Sequence, residues 1–360
     1  MQNSLTILYV YKDKDRSRVS KSLLSLQNQT NVDFNVLFID FGSNTTFSEQ
    51  IQSELKNFDF VKYQYSYHQN KPWSRAKAIN IGLKLVETEY VFVADIDMIF
   101  KENFVSTLHA IKSPTKSIYF KVGFLNQAAS EKDTSFENYK ISFESQAGAQ
   151  GLSLFPTQAL KDIHGFDEFL HFWGAEDEDI HNRLKTFGLE EIFYNQEVLM
   201  VHQWHEIYRK AESSKLSCDL RINAISKINQ ARLIYNKVNL RTIVNKKWGE
   251  IRTKHDFETL NNHSETIKII IKKENIDHFL FSELPSIQNQ IISVEFIEDQ
   301  DKNSLKRLAK KWLKKSVPQY YSLKEVNDAV LLHIISFYHN YNYFYKVSED
   351  KKSIKFRIQK

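Results

Sequence analysis

The stretch that decides the fold is Val91-Phe92-Val93-Ala94-Asp95-Ile96-Asp97-Met98, an apolar run that ends in two carboxylates. Such a run of β-branched and aromatic residues is typical of a buried strand in an α/β sheet. Asp95 and Asp97 would then lie at the carboxyl end of the strand, where open α/β sheets bind ligands. On a continuing strand they share one face. Two converging carboxylates suit Mg2+ or Mn2+, although acids after a strand also commonly begin a loop or cap a helix.

Predicted strands and helices alternate around that run. The strands fall at residues 5–11, 34–39, 60–65 and 90–94, and the helices between them at 17–26, 46–58 and 74–86. This alternation predicts an α/β fold with a mostly parallel sheet and right-handed crossovers. Residues 126–150 are polar and are predicted to form a long loop. A helix is predicted at 179–187, and residues 207–238 are predicted to be mainly helical.

Charge and pattern divide the chain in two. Residues 1–240 carry 27 Lys and Arg against 29 Asp and Glu, whereas residues 241–360 carry 22 against 15. The hydrophobic pattern changes near the same place, so two domains are predicted, 1–240 and a smaller, basic α/β domain at 241–360. In the second domain we predict strands at 267–271 and 291–297 and a helix at 323–341.

Composition restricts the compartment and the partners. Cys218 is the single cysteine, so no intrachain disulfide can form, as in proteins of reducing compartments. No stretch approaches the roughly 20 apolar residues that span a bilayer, and no basic segment precedes the first strand, so a signal peptide is not expected. We therefore expect a cytoplasmic protein. A nucleic-acid partner is not expected, because no recognition motif is found and residues 1–240 are net acidic.

Residues 303–315 have the pattern of a basic amphipathic helix, with leucines and Trp312 on one face and lysines on the other. One interpretation packs the leucine and tryptophan face into the second domain and leaves the lysines in water. The other lays the helix on an anionic membrane, at the inner face of the cell membrane. The first arrangement is the commoner one and is the one we expect.

Three more groups of side chains could carry chemistry. Glu176 and Asp177 belong to a run of four acids that follows Trp173 at the start of a predicted helix, whose dipole favours acids. A carboxylate beside a tryptophan can accept a proton from the hydroxyl of a stacked sugar. The pair His202 and His205 offers imidazole ligands for Mn2+ or Zn2+. For both groups, solvated or structural side chains are the simpler explanation.

The third group lies at residues 71–77. Trp73 offers a stacking face for a base, and Arg75 can fork onto a phosphate. The simpler explanation is a helix that begins there with Ser74 as its cap.

Three motifs, in this order, resemble consecutive motifs of GT-A glycosyltransferases: WSRAKAINIG at 73–82, Asp95-Ile96-Asp97, and WGAEDEDIHNRL at 173–184. The nearest likeness is to the β1,4-galactosyltransferase group, whose C-terminal motif also occurs in bacterial family 2 enzymes and chondroitin polymerases. It covers about residues 5–206. The resemblance implies an inverting, metal-dependent enzyme of surface polysaccharide synthesis. Its donor would be a nucleotide sugar, a UDP-linked hexose or N-acetylhexosamine, and its acceptor a saccharide or glycolipid.

The resemblance also assigns roles by position. Asp97 would bind Mn2+ or Mg2+ together with His202, with His205 competing for the same role, and Asp95 would bind the ribose and contribute to the metal. The donor would also be bound by Tyr11, Asp40, Trp73 and Arg75.

For the acceptor, Asp177 would be the catalytic base, Glu176 a hydrogen-bond partner and Trp173 the sugar platform. The family often has Gly-Gly before the Glu-Asp pair, where this chain has Gly174-Ala175. The alternative function is a catalytically inactive carbohydrate-binding or scaffold protein of the same fold.

Overall fold

The computed structural model describes residues 4–206, 215–262 and 265–360, without the side chains of residues 303, 306 and 308. The chain forms two compact units. The first comprises Met1–Ser66, Ser74–Ile207 and Ser226–Ile251, and the second comprises Tyr67–Trp73, Tyr208–Ile225 and Arg252–Lys360. A catalytic domain at 1–240 and an accessory domain at 241–360 remain a prediction about function.

Strands of the first unit build two sheets. They are β1 (Leu5–Tyr11), β2 (Asn35–Asp40), β3 (Val61–Tyr65), β4 (Tyr90–Ala94), β5 (Met98–Phe100), β6 (Lys116–Phe120), β7 (Gly123–Leu125), β8 (Ile141–Glu144), β9 (Ser153–Pro156), β10 (Glu190–Tyr194) and β11 (Met200–His202). The larger sheet has the order β10-β6-β9-β4-β1-β2-β3. Strands β4, β1, β2 and β3 run parallel, and β9 is antiparallel to both β4 and β6. The predicted α/β sheet is confirmed.

Helices of the first unit connect these strands. They are α1 (Arg16–Gln27), α2 (Thr45–Leu55), α3 (Arg75–Leu85), α4 (Phe104–Ile111), α5 (Gln127–Ser130), α6 (Thr157–Asp162), α7 (Glu176–Phe187) and α8 (Ile225–Val238). The side chains of Asp15, Asn44 and Ser74 cap α1, α2 and α3 by accepting a backbone N–H of the first turn. These caps follow the carboxyl ends of β1, β2 and β3, so they fix the loops on that edge of the sheet.

The smaller sheet has the order β5-β11-β7-β8. It places β11 beside β5, the strand that follows β4. Strand β11 is antiparallel to β5 and places His202 opposite Met98. The long loop predicted at 126–150 is wrong in part, because it contains α5, a 3-10 turn at Phe136–Asn138 and β8. Three of the four residues of β8 are exposed, so this strand lacks the apolar alternation that would reveal it.

The second unit is built on a four-stranded sheet. Its strands are β12 (Ile267–Ile270), β13 (Ile291–Ile297), β14 (Asn342–Val347) and β15 (Ser353–Gln359), in the order β12-β13-β15-β14. Its helices are α9 (Lys254–Asn261), α10 (Lys273–His278), α11 (Leu284–Ser286), α12 (Leu305–Trp312) and α13 (Leu323–Phe337), with a π-helical turn at Phe279–Glu283. The helix predicted at 323–341 therefore ends earlier.

Of the helical stretch predicted at 207–238, α8 is helical and residues 207–214 lie outside the described residues. Within the three described ranges, no helix combines the length and the apolarity needed to cross a bilayer.

Close packing of α3 on the sheet depends on Gly82. A Cβ atom added at this residue would overlap Leu8 Cδ1 and lie 3.2 Å from Ile39 Cγ1. Leu8 and Ile39 belong to β1 and β2 and are fully buried, so neither side chain can turn into solvent. A glycine in a helix interior normally weakens the helix, and here close packing explains it.

We predict that Gly82→Val lowers the free energy of unfolding by about 1–3 kcal/mol through overpacking. Gly82→Ala should cost less, because its methyl group is smaller and alanine gains about 1 kcal/mol of helix propensity. Urea unfolding followed by circular dichroism measures both variants. A valine variant as stable as the wild type would show that α3 has more room than the structure gives it.

Candidate active site

The two carboxylates after β4 face different partners. Strand β4 ends at Ala94, and residues 95–97 form a turn before β5 begins at Met98. The expectation that Asp95 and Asp97 share one face of a continuing strand is therefore wrong. Asp95 pairs with Arg75, whereas Asp97 faces the two histidines.

Asp97, His202 and His205 form a cluster whose ligand atoms all lie within 4.8 Å of one another. His202 Nε2 is 3.6 Å from Asp97 Oδ1, and His205 Nε2 is 3.4 Å from Asp97 Oδ2. Asp97 Oδ1 is buried and has no hydrogen-bond partner among the described residues. One carboxylate and two imidazoles suit a divalent transition metal, so these residues fit the predicted ion.

The orientation of His205 supports this fit. Its Nδ1 lies 2.8 Å from the backbone carbonyl oxygen of Glu206, which can only accept a hydrogen bond. Nδ1 therefore carries the ring proton, and Nε2 presents a lone pair towards Asp97. Both histidines meet the same carboxylate, so the structure places them side by side as candidate ligands.

Arg75 joins the turn after β4 to the start of α7. Its Nη2 is 3.0 Å from Asp95 Oδ1, and its Nη1 is 2.7 Å from Asp177 Oδ1. Nη2 also donates to the backbone carbonyl of Gly151 at 3.0 Å. Ser74 caps α3, so Arg75 is the first residue of that helix. The backbone of Arg75 therefore has a defined orientation. The two flanking carboxylates raise the pKa of Arg75, which keeps the guanidinium charged.

Glu176 and Asp177, the carboxylates predicted to act on the acceptor, lie in the acidic first turn of α7. Burial and the adjacent charge of Asp177 together raise the pKa of Glu176 to about 7. Burial also raises the pKa of Asp177, while the Arg75 guanidinium acts in the opposite direction. Two neighbouring carboxyl groups therefore have different environments, the arrangement that separates acid and base roles. Trp173, three residues before Glu176, is 38% exposed and can offer its ring to a ligand.

Helix α8 makes hydrogen bonds to the loop that precedes α7. Asn229 is fully buried, and its Nδ2 donates to the carbonyl oxygens of His171 at 2.9 Å, Trp173 at 3.1 Å and Gly174 at 3.3 Å. These carbonyls cannot pair in a sheet, because the loop turns sharply with positive φ at both Gly174 and Ala175. One amide group thus contacts three carbonyls of this loop, of which the His171 carbonyl also accepts the backbone N–H of Trp173 at 3.0 Å.

A buried ionic network continues along the same face of α8. Asn236 donates to Asp167 Oδ2 at 2.9 Å and to Asp179 Oδ1 at 2.8 Å. Arg232 Nε is 2.8 Å from Asp167, and Arg183 Nε is 2.6 Å from Asp179. Each buried carboxylate therefore has a cation and an amide donor, which offsets its desolvation. Asn229, Arg232 and Asn236 were not predicted as site residues, because polar side chains on a helix ordinarily mark its exposed face.

Tyr11 and Asp40 are paired at the carboxyl ends of β1 and β2, and both side chains make hydrogen bonds within the protein. Asp40 is fully buried, with Oδ1 accepting from Ser43 N at 2.8 Å and Oδ2 from the Tyr63 hydroxyl at 3.0 Å, and burial raises its pKa. Tyr11 lies in the hydrophobic core and donates its hydroxyl to the Lys14 carbonyl at 2.6 Å. Trp73 belongs to the second unit.

Comparisons with known proteins agree with this fold. The model described as glycosyl transferase family 2 matches residues 7–120, and the model described as the N-terminal domain of galactosyltransferase matches residues 131–210. Together they span more than half of the chain. The fold and the site thus define a glycosyltransferase with a GT-A fold. The matches support a glycosyltransferase of family 2.

Curated relatives are much longer than this chain. Chondroitin sulfate synthase 3 from Homo sapiens is 23% identical over 175 residues, which are 44% of this chain and 20% of that protein. The Mus musculus protein of the same name is 23% identical over 176 residues, with the same coverage. The chain therefore spans about a fifth of the length of the curated relatives it matches.

Among similar solved structures, GalNAc-T7 shares the fold. GalNAc-T7 with UDP, GalNAc and Mn2+ has a TM-score of 0.50 and 14% identity, over 64% of this chain and 48% of that one. S. aureus TarS with UDP has a TM-score of 0.42 and 18% identity, over 55% and 60%. Mannosyltransferase PcManGT from Pyrobaculum calidifontis, with GDP-Man and Mn2+, has a TM-score of 0.42 and 13% identity, over 66% and 71%.

The separation of the two aspartates predicts different effects on metal binding. Asp97→Asn should weaken Mn2+ binding at least about tenfold, because it removes the carboxylate that both histidines face. Asp95→Asn should leave Mn2+ affinity close to that of the wild type when no nucleotide is present. Titration calorimetry with Mn2+ alone measures both variants. Equal losses in the two would mean that Asp95 is also a metal ligand.

The role of Asn229 predicts a local loss of order. Asn229→Ala removes the side-chain donor to the carbonyls of Trp173 and Gly174 and should cost about 1–3 kcal/mol of stability. Hydrogen exchange should become faster in residues 171–177 before it does in the central strands. Gln230→Ala, at an exposed position of the same helix, is the matched control and should change neither quantity. Unchanged exchange in the loop would exclude the positioning role.

Proposed function

We propose that this chain transfers a sugar from a nucleotide sugar, a UDP-linked hexose or N-acetylhexosamine, to a hydroxyl group of a saccharide or glycolipid, with inversion. The observation that carries the proposal is the single guanidinium of Arg75, which links Asp177 to the turn holding Asp95 and Asp97. A base for the acceptor and a site for the donor phosphates thus lie on two sides of one residue. GalNAc-T7 and TarS, both solved with UDP, support the choice of donor.

Asp177 is the proposed catalytic base. It takes the proton from the acceptor hydroxyl as that oxygen attacks the anomeric carbon from the face opposite the leaving diphosphate. Arg75 favours the ionised form of this carboxylate, because its charge opposes the effect of burial on the pKa of Asp177. A donor diphosphate would compete for Arg75 and leave Asp177 more basic, so donor binding would prepare the base.

Acceptor binding falls to Trp173 and Glu176. The exposed ring of Trp173 stacks on the sugar, and Glu176 accepts a hydrogen bond from a sugar hydroxyl when it is ionised. Since the pKa of Glu176 is about 7, its share in acceptor binding should increase as the pH rises through neutrality.

Asp95 and Arg75 are the main residues proposed to bind the donor. Asp95 would contact the ribose, and Tyr11, Asp40 and Trp73 remain proposed contacts of the nucleotide. Asp40 needs to exchange one of its two internal hydrogen bonds to meet a base. Asp97, His202 and His205 would hold the metal ion, Mn2+ or Mg2+, which supplies positive charge to the departing diphosphate.

The function is tested by measuring release of nucleoside diphosphate from a panel of nucleotide sugars, with Mn2+, Mg2+ or EDTA and with oligosaccharide acceptors. We expect one donor to turn over only with metal. Asp177→Asn should lower that rate by about 10²–10⁴, the usual contribution of general base catalysis, and should still bind the nucleotide.

Glu178→Gln is the matched control, because Glu178 lies in the same acidic run but is exposed to solvent. It should keep the wild-type rate. Full turnover by Asp177→Asn would remove the base assignment. No turnover of any donor, together with no nucleotide or metal binding in calorimetry, would favour an inactive carbohydrate-binding protein.

A further inference from the structure

The amphipathic helix α12 exposes the apolar side chains at its two ends. Leu305 and Trp312 are each 85% exposed, and Leu313, at the end of the helix, is 56% exposed. Positions 305 and 312 lie seven residues apart and therefore on one side of the helix. The expectation that this face packs into the second domain is wrong. The exposed side chains of Leu305 and Trp312 define an apolar stripe on this helix.

Arg307 explains why the stripe faces outward. Its Nη1 donates to the Lys302 carbonyl at 2.7 Å, its Nη2 donates to the Pro318 carbonyl at 3.2 Å, and its guanidinium lies 4.8 Å from the ring centroid of Tyr320. Two residues turn an α-helix by about 200°, so Arg307 lies almost opposite Leu305. The helix is thus attached to its unit by a polar side chain, the reverse of an ordinary core-packed helix.

Positive charge surrounds the stripe. Between Lys302 and Lys315 the sequence has seven Lys and Arg and no Asp or Glu. The lysines at 310, 311, 314 and 315 are all exposed. An occupant of this surface must therefore accept apolar side chains and carry negative charge at the same time.

We infer that α12 binds the surface of an anionic lipid membrane, with Leu305 and Trp312 inserted and the lysines among the headgroups. A membrane of this kind offers an apolar layer beneath a negative surface, which matches both features of the helix. A second copy of the chain would bring two clusters of like charge together. A nucleic acid would neutralise the lysines but leave the apolar stripe in water. This inference does not depend on the transfer reaction.

Vesicle sedimentation of the full chain tests the inference. The protein should bind vesicles of phosphatidylcholine mixed with phosphatidylglycerol, bind pure phosphatidylcholine much less, and be released by salt. The double variant Leu305→Ser/Trp312→Ser should lower the partition coefficient at least about tenfold. Both side chains are largely exposed, so the fold should be unaffected. The same loss is expected when glutamine replaces the lysines at 310, 311, 314 and 315.

A second quadruple variant is the matched control. It removes the same charge from exposed lysines elsewhere in the second unit, at 346, 351, 352 and 355, and should bind like the wild type. An equal loss in this control would overturn the assignment to α12, as would no binding to anionic vesicles. A dimer that dissociates in the Leu305→Ser/Trp312→Ser variant, seen by analytical ultracentrifugation, would assign the face to self-association instead.

Discussion

The candidate site depends on the ion pairs that Arg75 makes with Asp95 and Asp177. Glu176 lies beside Asp177, and like charges so close to one another in a partly buried site would repel. One guanidinium reaches both aspartates, because its planar fork presents donors along two edges. A lysine could not replace it, since an ammonium group is a point charge. The turn after β4 and the start of α7 are therefore joined electrostatically as well as by packing.

A second constraint acts on the backbone before α7. Ala175 has a φ of 76°, a left-handed conformation that costs a residue with a side chain about 1–2 kcal/mol. Such strain persists only where neighbouring contacts hold it, and Asn229 supplies them through three carbonyls of the preceding loop. Helix α8 begins beyond residue 210, where the matched family regions end. The loop that carries Trp173 thus relies on a part of the chain outside those regions.

Much of this architecture could be predicted from the sequence, because hydrophobic alternation and motif order are local signals. Hydrophobic alternation predicts the parallel strands, and motif order predicts that His202 approaches Asp97. Three features could not be predicted in this way. Tyr11 ends a strand buried on both faces, so its side chain enters the core. The buried face of α8 carries Asn229 and Asn236 beside Ile225 and Leu233, so an apolar pattern does not reveal its polar members. The orientation of α12 is set by Arg307, and an amphipathic pattern does not say which face is attached.

The turn after β4 shows why one motif can serve two tasks. On a continuing strand, Asp95 and Asp97 would converge on one ion, and Arg75 would be left with Asp177 alone. Because the strand ends at Ala94, Asp95 turns towards the guanidinium and Asp97 towards the imidazoles. The carboxylate that faces a cation of the protein is already neutralised, whereas the buried Asp97 Oδ1 has no hydrogen-bond partner among the described residues. Of the two carboxylates, only Asp97 is therefore a candidate for an added cation. The position at which β4 ends, rather than the pair of acids, accounts for this difference.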